Sequence, residues 1–551
     1  MKLKYSNLKK FIYLYLLLPF FLFVAGFLRI PFAVMAGVFV VGVYLLAAGT
    51  FSYKKNADED KELEDGIMVG KRALIILFLI GVVWCFLGGQ GGLFYQSPDW
   101  NCRNAIFRDL IRYDWPVYYE NTGDALVYYI GHWLPAAVVA KGIYFISGRL
   151  AIAWVAGCIL LWLWTAIGCF LVMLLMLLYF KAHTKGQMIG TVFMLIFFSG
   201  MDVVGTLCNV LRGGPTWIFI PFHFEPWANG LQYSSNTTCL FWVFNQAVAP
   251  WICVLCYLLE KKMKNYAVIL AGCMMAGPFA LVGLSVFVGI SMWNKLVKCE
   301  KKEEYRSFCK ELFTIQNIST LVILFPVILL YYSSNAIVQS LHFTAYIEKV
   351  FSTKYVVLFI VLFGILVCIY TASGKINETA KKYSGIFAVV FAICILLLVR
   401  QYALFYFLEV GALLLLIWRD YKIEWKFYVA ALFLAITPKI TVGNSSDFMM
   451  RASIPALIIL MLMVTKSIWK HRNDVLRKAM PTVLLIGCVL IGACTPLGEF
   501  YRAISATISA GSVQDVVCDN QQTFNQETHS GLDNFTAINP KEQFFFKYLA
   551  K

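Results

Sequence analysis

Long apolar segments follow one another along most of this chain, and that succession constrains its fold more than any other feature. A lipid interior offers no water to unpaired backbone groups, so only helices and closed barrels can cross it. A helix needs about twenty apolar residues to span. Segments of that kind fall near residues 11–29, 32–51, 72–89, 150–179, 188–208, 239–259, 266–277, 279–293, 317–332, 355–371, 384–399, 402–418, 427–438, 450–466 and 481–496. Of the 551 residues 60% are hydrophobic and 14% charged, with mean hydropathy +0.71, against roughly 25% charged in soluble domains. The expected fold class is therefore an all-α polytopic membrane protein, with about 13–15 transmembrane helices and a long first outer loop bearing interfacial helices. The net charge of +16 does not call for nucleic acid as a partner, because basic residues in membrane proteins concentrate in cytoplasmic loops.

That bias sets the expected topology. With the N-terminus inside, 31 of the 47 lysines and arginines fall on the inner side. The most basic connectors are among them: KKMK at 261–264, the loop from Lys295 to Lys310, and KSIWKHRNDVLRK at 466–478. This arrangement requires 266–277 and 279–293 to be separate spans broken at Gly277-Pro278. It places the 90–149 island and the 497–551 tail outside. The chain divides into an N-terminal hairpin and inner loop (1–71), a membrane core with its outer loop (72–293), C-terminal membrane helices (294–496) and a polar tail (497–551). The expected location is the cell membrane, multi-pass, with the C-terminus extracytoplasmic.

The island, QGGLFYQSPDWNCRNAIFRDLIRYDWPVYYENTGDALVYYIGHWLPAAVVAKGIYFISGR, is too long for a connector. Long ordered loops tend to carry function. Segments 103–113 and 125–146 read as amphipathic helices lying along the outer interface. Two further outer segments carry polar and aromatic groups. Residues 211–238 hold Arg212, His223, Glu225 and Trp227, and residues 438–455 hold Lys439, Asp447 and Arg451. Asp447 and Arg451 are spaced for a local helix pair, and Arg451 equally suits a phosphate, whose oxygens match a guanidinium fork. Glu409 lies inside an apolar run, where an acid is a functional candidate unless a partner such as Arg400 satisfies it. Cys253 and Cys256 form a CxxC within a span and read as small buried residues. P-loop, HExxH and dinucleotide-loop patterns are not found.

The order of the island is an apolar span, the acid Asp99 in SPDW, the amphipathic RNAIFRDLIRYDWP, and then YYIGHWLPAAVVAK leading into the next span. It resembles the first outer loop of the GT-C superfamily of integral-membrane glycosyltransferases. The resemblance covers mainly residues 72–180. It implies an outer-face enzyme using polyprenyl-phosphate-linked sugars as donors. It also implies that Asp99 is the catalytic base or a metal ligand, and that Tyr128–Pro135 is the Tyr/Pro entry to the second interfacial helix. Asp99 stands without the adjacent acid many members carry, which counts against a metal requirement while leaving a divalent metal as an option. Arg212, Lys439 and Arg451 are candidates for the donor phosphate, with His223, Glu225 and Asp447 as further substrate-binding candidates; sugar and acceptor are not specified. Two other readings remain: a transporter or flippase for a lipid-linked polysaccharide precursor, and a polymerase of such precursors.

Overall fold

The computed structural model describes residues 2–50, 66–213, 222–340, 400–440, 442, 446–472, 480–525 and 534–551. Expected spans 355–371 and 384–399 lie outside the described residues. The protein is all-helical and multi-pass. Nine helices among the described residues are long and apolar enough to cross a membrane: Tyr5–Phe27, Ile30–Ala47, Leu150–Phe180, Lys185–Leu211, Asn236–Leu259, Pro278–Val297, Ile315–Ser333, Tyr402–Tyr421 and Met480–Ser509. Shorter apolar helices complete the bundle, including Lys71–Leu87, Tyr266–Ala276, Trp425–Ile436 and Ile454–Lys470. The core runs through the middle of the bundle, around Trp84 stacked on Trp251 at 5.9 Å.

Several helices are interrupted, each for a local reason. Gly277, at φ 150° and ψ 147°, breaks the chain between Tyr266–Ala276 and Pro278–Val297. Few residues other than glycine adopt that backbone conformation, and Pro278 then starts the next helix without an N–H to lose. Helix Lys185–Leu211 is non-helical at 198–201, where Asp202 opens its second half. Helices Ile315–Ser333 and Tyr402–Tyr421 each contain a π-wound turn, at Thr320–Leu324 and Phe407–Gly411.

One end of the bundle gathers the basic connectors. Lys2–Leu3 pairs antiparallel with Ile67–Met68. Lys9 meets Glu260 at 3.0 Å, Thr314 donates to the Lys264 carbonyl at 2.9 Å, and Lys295 pairs with Glu311. The opposite end holds the island and the tail. The tail is packed onto the island rather than lying apart from it: Ala125–Leu126 pairs antiparallel with Thr536–Ala537. Arg108 Nη2 donates to both Asp519 carboxylate oxygens, at 2.8 and 2.7 Å, and Arg29 donates to the carbonyls of Ala550 and Lys547.

The island itself differs in part from the expectation. Residues 100–112 are a helix, but nearly all of its faces are buried, including Ile106, Leu110 and Ile111. Residues 125–146 are not one helix. They are a two-residue strand, a 3-10 turn at Ile130–His132 and a helix from Leu134 to Ser147. Pairing with the tail claims the backbone of 125–127, and a segment so paired cannot wind into a helix at the same time.

Candidate functional site

At the island end, an open cleft of about 280 Å³ is walled by the island, the tail and four helices of the bundle. Asp99, Arg103, Tyr128 and Tyr129 come from the island. Gln246, Pro278 and Phe279 come from the bundle, Tyr332 and Asn335 from the end of helix Ile315–Ser333, Asp447 and Arg451 from helix Asp447–Ala452, and Asn534 and Phe535 from the tail.

Asp99 is held from the residue that follows it. Trp100 stacks on Phe244 at 4.9 Å, and its indole N–H donates to the Phe241 carbonyl at 2.8 Å. The backbone of helix Asn236–Leu259 leaves helical geometry at Val243, which frees that carbonyl from the regular ladder. Behind Asp99, the Gln96 side-chain oxygen accepts from Asn104 at 2.8 Å and from the Cys518 N–H at 3.1 Å. The acid thus sits at the start of a helix whose rear is fixed to both the bundle and the tail.

Arg103 lies one turn on and meets Asp99 at 3.2 Å. Asp447 and Arg451 form the same i, i+4 pair at 3.1 Å on another segment. In each pair the guanidinium is the buried partner: the Arg103 and Arg451 side chains are 7% and 10% exposed, against 46% for Asp99 and 31% for Asp447. Both arginines keep a buried Nε–H without a hydrogen-bond partner. Burial without full pairing is costly for a charged donor. The aromatic wall is Tyr128 and Tyr129, with Tyr129 edge-on to Tyr332 at 5.3 Å; the Gln246 amide donates to the Tyr128 hydroxyl at 3.2 Å. Burial raises the hydroxyl pKa of both Tyr128 and Tyr129, so they line the cleft as neutral donors.

The other sequence candidates lie elsewhere. Lys439 stands over the Tyr402 ring at 3.8 Å. Arg212 is exposed at the end of helix Asp202–Leu211. His223 stacks on Trp242 and meets Glu499 at 2.7 Å, and Glu499 also takes the Trp242 indole N–H and an Arg502 N–H. Glu225 is buried and accepts from the Ser235 N–H at 2.8 Å and the Gln232 amide at 2.7 Å. Of the candidates, Asp99, Asp447 and Arg451 share the cleft. His223, Glu225, Arg212 and Lys439 do not line it.

Sequence reasoning did not single out Arg103 for the site, although its spacing of four from Asp99 on an amphipathic helix signals the pair. Gln246, Asn335 and Asn534 carry no comparable signal, since each reaches the cleft only through tertiary packing.

A divalent metal does not suit this donor set. Each cleft acid is already paired with an arginine, whose charge opposes a second cation. Among the described residues no group of three His, Cys, Asp or Glu is placed to hold a metal ion. Compared with known proteins, the chain matches no family model, no curated protein and no solved structure.

Proposed function

We propose that this protein is a membrane glycosyltransferase. In this reading it moves a sugar from a polyprenyl-phosphate-linked donor to an acceptor hydroxyl in the island-end cleft, on the outer face of the cell membrane. The observation that carries the reading is one cleft holding Asp99 together with two buried arginines. One of them, Arg451, comes from a segment some 350 residues away in sequence.

The chemistry asks for a base and an anion site. Asp99, the more exposed member of its pair, accepts the proton of the acceptor hydroxyl. The acceptor oxygen bonds to the sugar's anomeric carbon as the bond from that carbon to the phosphate oxygen breaks. The lipid phosphate leaves with both bonding electrons, and Arg451 and Arg103 meet its growing charge. Tyr128 and Tyr129 offer ring faces and hydroxyls to the sugar.

The experiment is sugar transfer from a polyprenyl-phosphate donor pool by reconstituted protein. Asp99→Asn keeps the size of the side chain and removes the base, so the rate is expected to fall about 10²–10⁴-fold with expression unchanged. Asp114→Asn is the control, because Asp114 is fully exposed and 3.7 Å from Lys141. Full transfer by Asp99→Asn removes the reading. Movement of intact donor lipid across the bilayer without sugar transfer would favour a carrier instead.

A further inference from the structure

A second set of acids lies outside the cleft, where two membrane helices lose their regular winding. Asp202 opens the second half of interrupted helix Lys185–Leu211, and Glu409 sits in the π-wound turn of helix Tyr402–Tyr421. The two segments touch at Gly200, where any side chain would overlap the Glu409 carboxyl, and the Met201 N–H donates to the Leu408 carbonyl at 3.1 Å. Asp202 is 1% exposed and Glu409 2%. π-wound turns and broken membrane helices recur at functional sites.

The hydrogen bonding leaves one atom unaccounted for. Asp202 Oδ2 accepts from the Ser199 hydroxyl at 3.0 Å and the Thr495 hydroxyl at 2.7 Å. Glu409 Oε1 accepts from the Trp227 indole at 2.9 Å. Glu409 Oε2 is buried with no donor, and the Glu409 carboxyl abuts the Gly200 backbone two residues before Asp202. Two ionised carboxylates buried on touching segments repel each other. One must carry a hydrogen, or a cation must sit between them.

The Arg400 side chain, the partner the sequence offers Glu409, lies outside what the structure describes. Among the described residues no lysine or arginine pairs with Asp202, Glu225 or Glu409. The neighbouring loop brings a further acid, Glu225, pushed up to about 7 chiefly by burial. Helix Cys494–Ser509 brings Glu499, already matched by Arg502 and His223. The Arg502 guanidinium and the His223 ring are both committed to Glu499. A metal ion fits poorly, because the flanking hydroxyls and the indole all point hydrogens at the carboxyl oxygens. A small cavity of mixed lining, with Ser199, Ser234 and Ser235 beside Phe198 and Leu457, adjoins the Glu409 side chain; a water in such a space could exchange a proton with it.

We propose that Asp202 and Glu409 form a buried proton-binding site, in which the two carboxyl groups share one exchangeable proton reached through the cavity beside Ser234 and Ser235. Release of that proton leaves two negative charges where two interrupted helices cross. The site therefore links proton occupancy to the packing of those helices. Nothing in this depends on sugar transfer.

The test is infrared difference spectroscopy of the full chain in lipid nanodiscs, titrated across pH and repeated in D₂O. A protonated-carboxyl band is expected at neutral pH, shifting in D₂O and absent in Glu409→Gln. Asp202→Asn should displace it, and Glu225→Gln identifies any share from that neighbour. Glu409→Gln mimics the protonated acid and is expected to keep the wild-type melting temperature. If it does not fold, the band in Asp202→Asn decides. A wild-type spectrum with no protonated carboxyl at neutral pH, or a band that survives both substitutions unchanged, overturns the proposal. So does a melting temperature that follows sodium or potassium concentration at fixed pH, which would put a metal cation in the proton's place.

Discussion

Single residues at the island end divide into those facing the cleft and those that hold it in shape. Arg451 faces it. A charge-assisted contact from a guanidinium to phosphate is worth on the order of 1.5–3 kcal/mol, so Arg451→Ala is expected to weaken donor binding about ten- to a hundredfold. Arg451→Lys should recover only part of this, because an ammonium cannot reproduce the fork; donor-dependence kinetics for both variants check this. Asp109 holds the shape. It is fully buried and accepts from the Thr523 hydroxyl at 2.7 Å, the Phe524 N–H at 2.9 Å and the Tyr119 hydroxyl at 2.9 Å. Burial pushes its carboxyl up to about 6, against the pull of those donors and of Arg108. An unfolded aspartate titrates near 3.9, so between about pH 4 and 6 only the folded state holds this proton. Folding then takes up a proton, and this contribution to stability falls as pH rises through that window, by on the order of 3 kcal/mol in all. Asp109→Asn should flatten that slope in denaturation measured from pH 4 to 7. Asp99 and Arg451 were legible as charges in outer segments. Asp202 was not singled out, although an acid in the apolar run FFSGMDVVG carries the same signal that marked Glu409. The role of Asp109 was hidden because two of its three donors come from the tail.

The elements carry the cleft by how closely they approach one another. Helix Asp447–Ala452 rests on helix Pro278–Val297 at Gly283, where a methyl group would overlap the Ala452 carbonyl oxygen. Gly283→Leu should push the short helix outward and take Arg451 and Asp447 with it. The expected result is weaker donor binding with the cleft side chains all intact, and a lower melting temperature from overpacking, on the order of 1–3 kcal/mol. Unchanged donor kinetics in a folded Gly283→Leu protein would mean that this contact does not set the cleft. Apolar run length was enough to locate most of the described helices, because burial in lipid depends on little else. The Gly277-Pro278 break was also legible, since both residues announce themselves chemically. The π-wound turns and the non-helical 198–201 were not. No glycine–proline pair marks them, and they arise where neighbouring helices press together.

At the scale of the whole molecule, the island and the tail share one end and the basic connectors the other. If the connectors face the cytoplasm, a cysteine placed at position 520 on a background without native cysteines should react with a membrane-impermeant reagent in intact cells. One placed at position 262 should react only after permeabilisation. Labelling of 520 only after permeabilisation would invert the topology and place the cleft inside. The sequence read residues 497–551 as a polar tail without period, but 497–509 continue the helical segment Met480–Ser509. What it could not register is that Cys518–Phe524 and Phe535–Ala537 complete the island instead of folding by themselves.

That completion has a consequence in time. Arg108 and its partner Asp519 are 411 positions apart. At a translation rate of about 5–20 residues per second, the island waits roughly 20–80 seconds for the segment that satisfies it. Through that interval Arg108 lacks its carboxylate, Asp109 lacks two of its donors and the backbone of 125–127 lacks its strand. The nascent chain therefore has an open period, set by the ribosome rather than by its own folding rate, in which the island is exposed to proteases and to wrong partners.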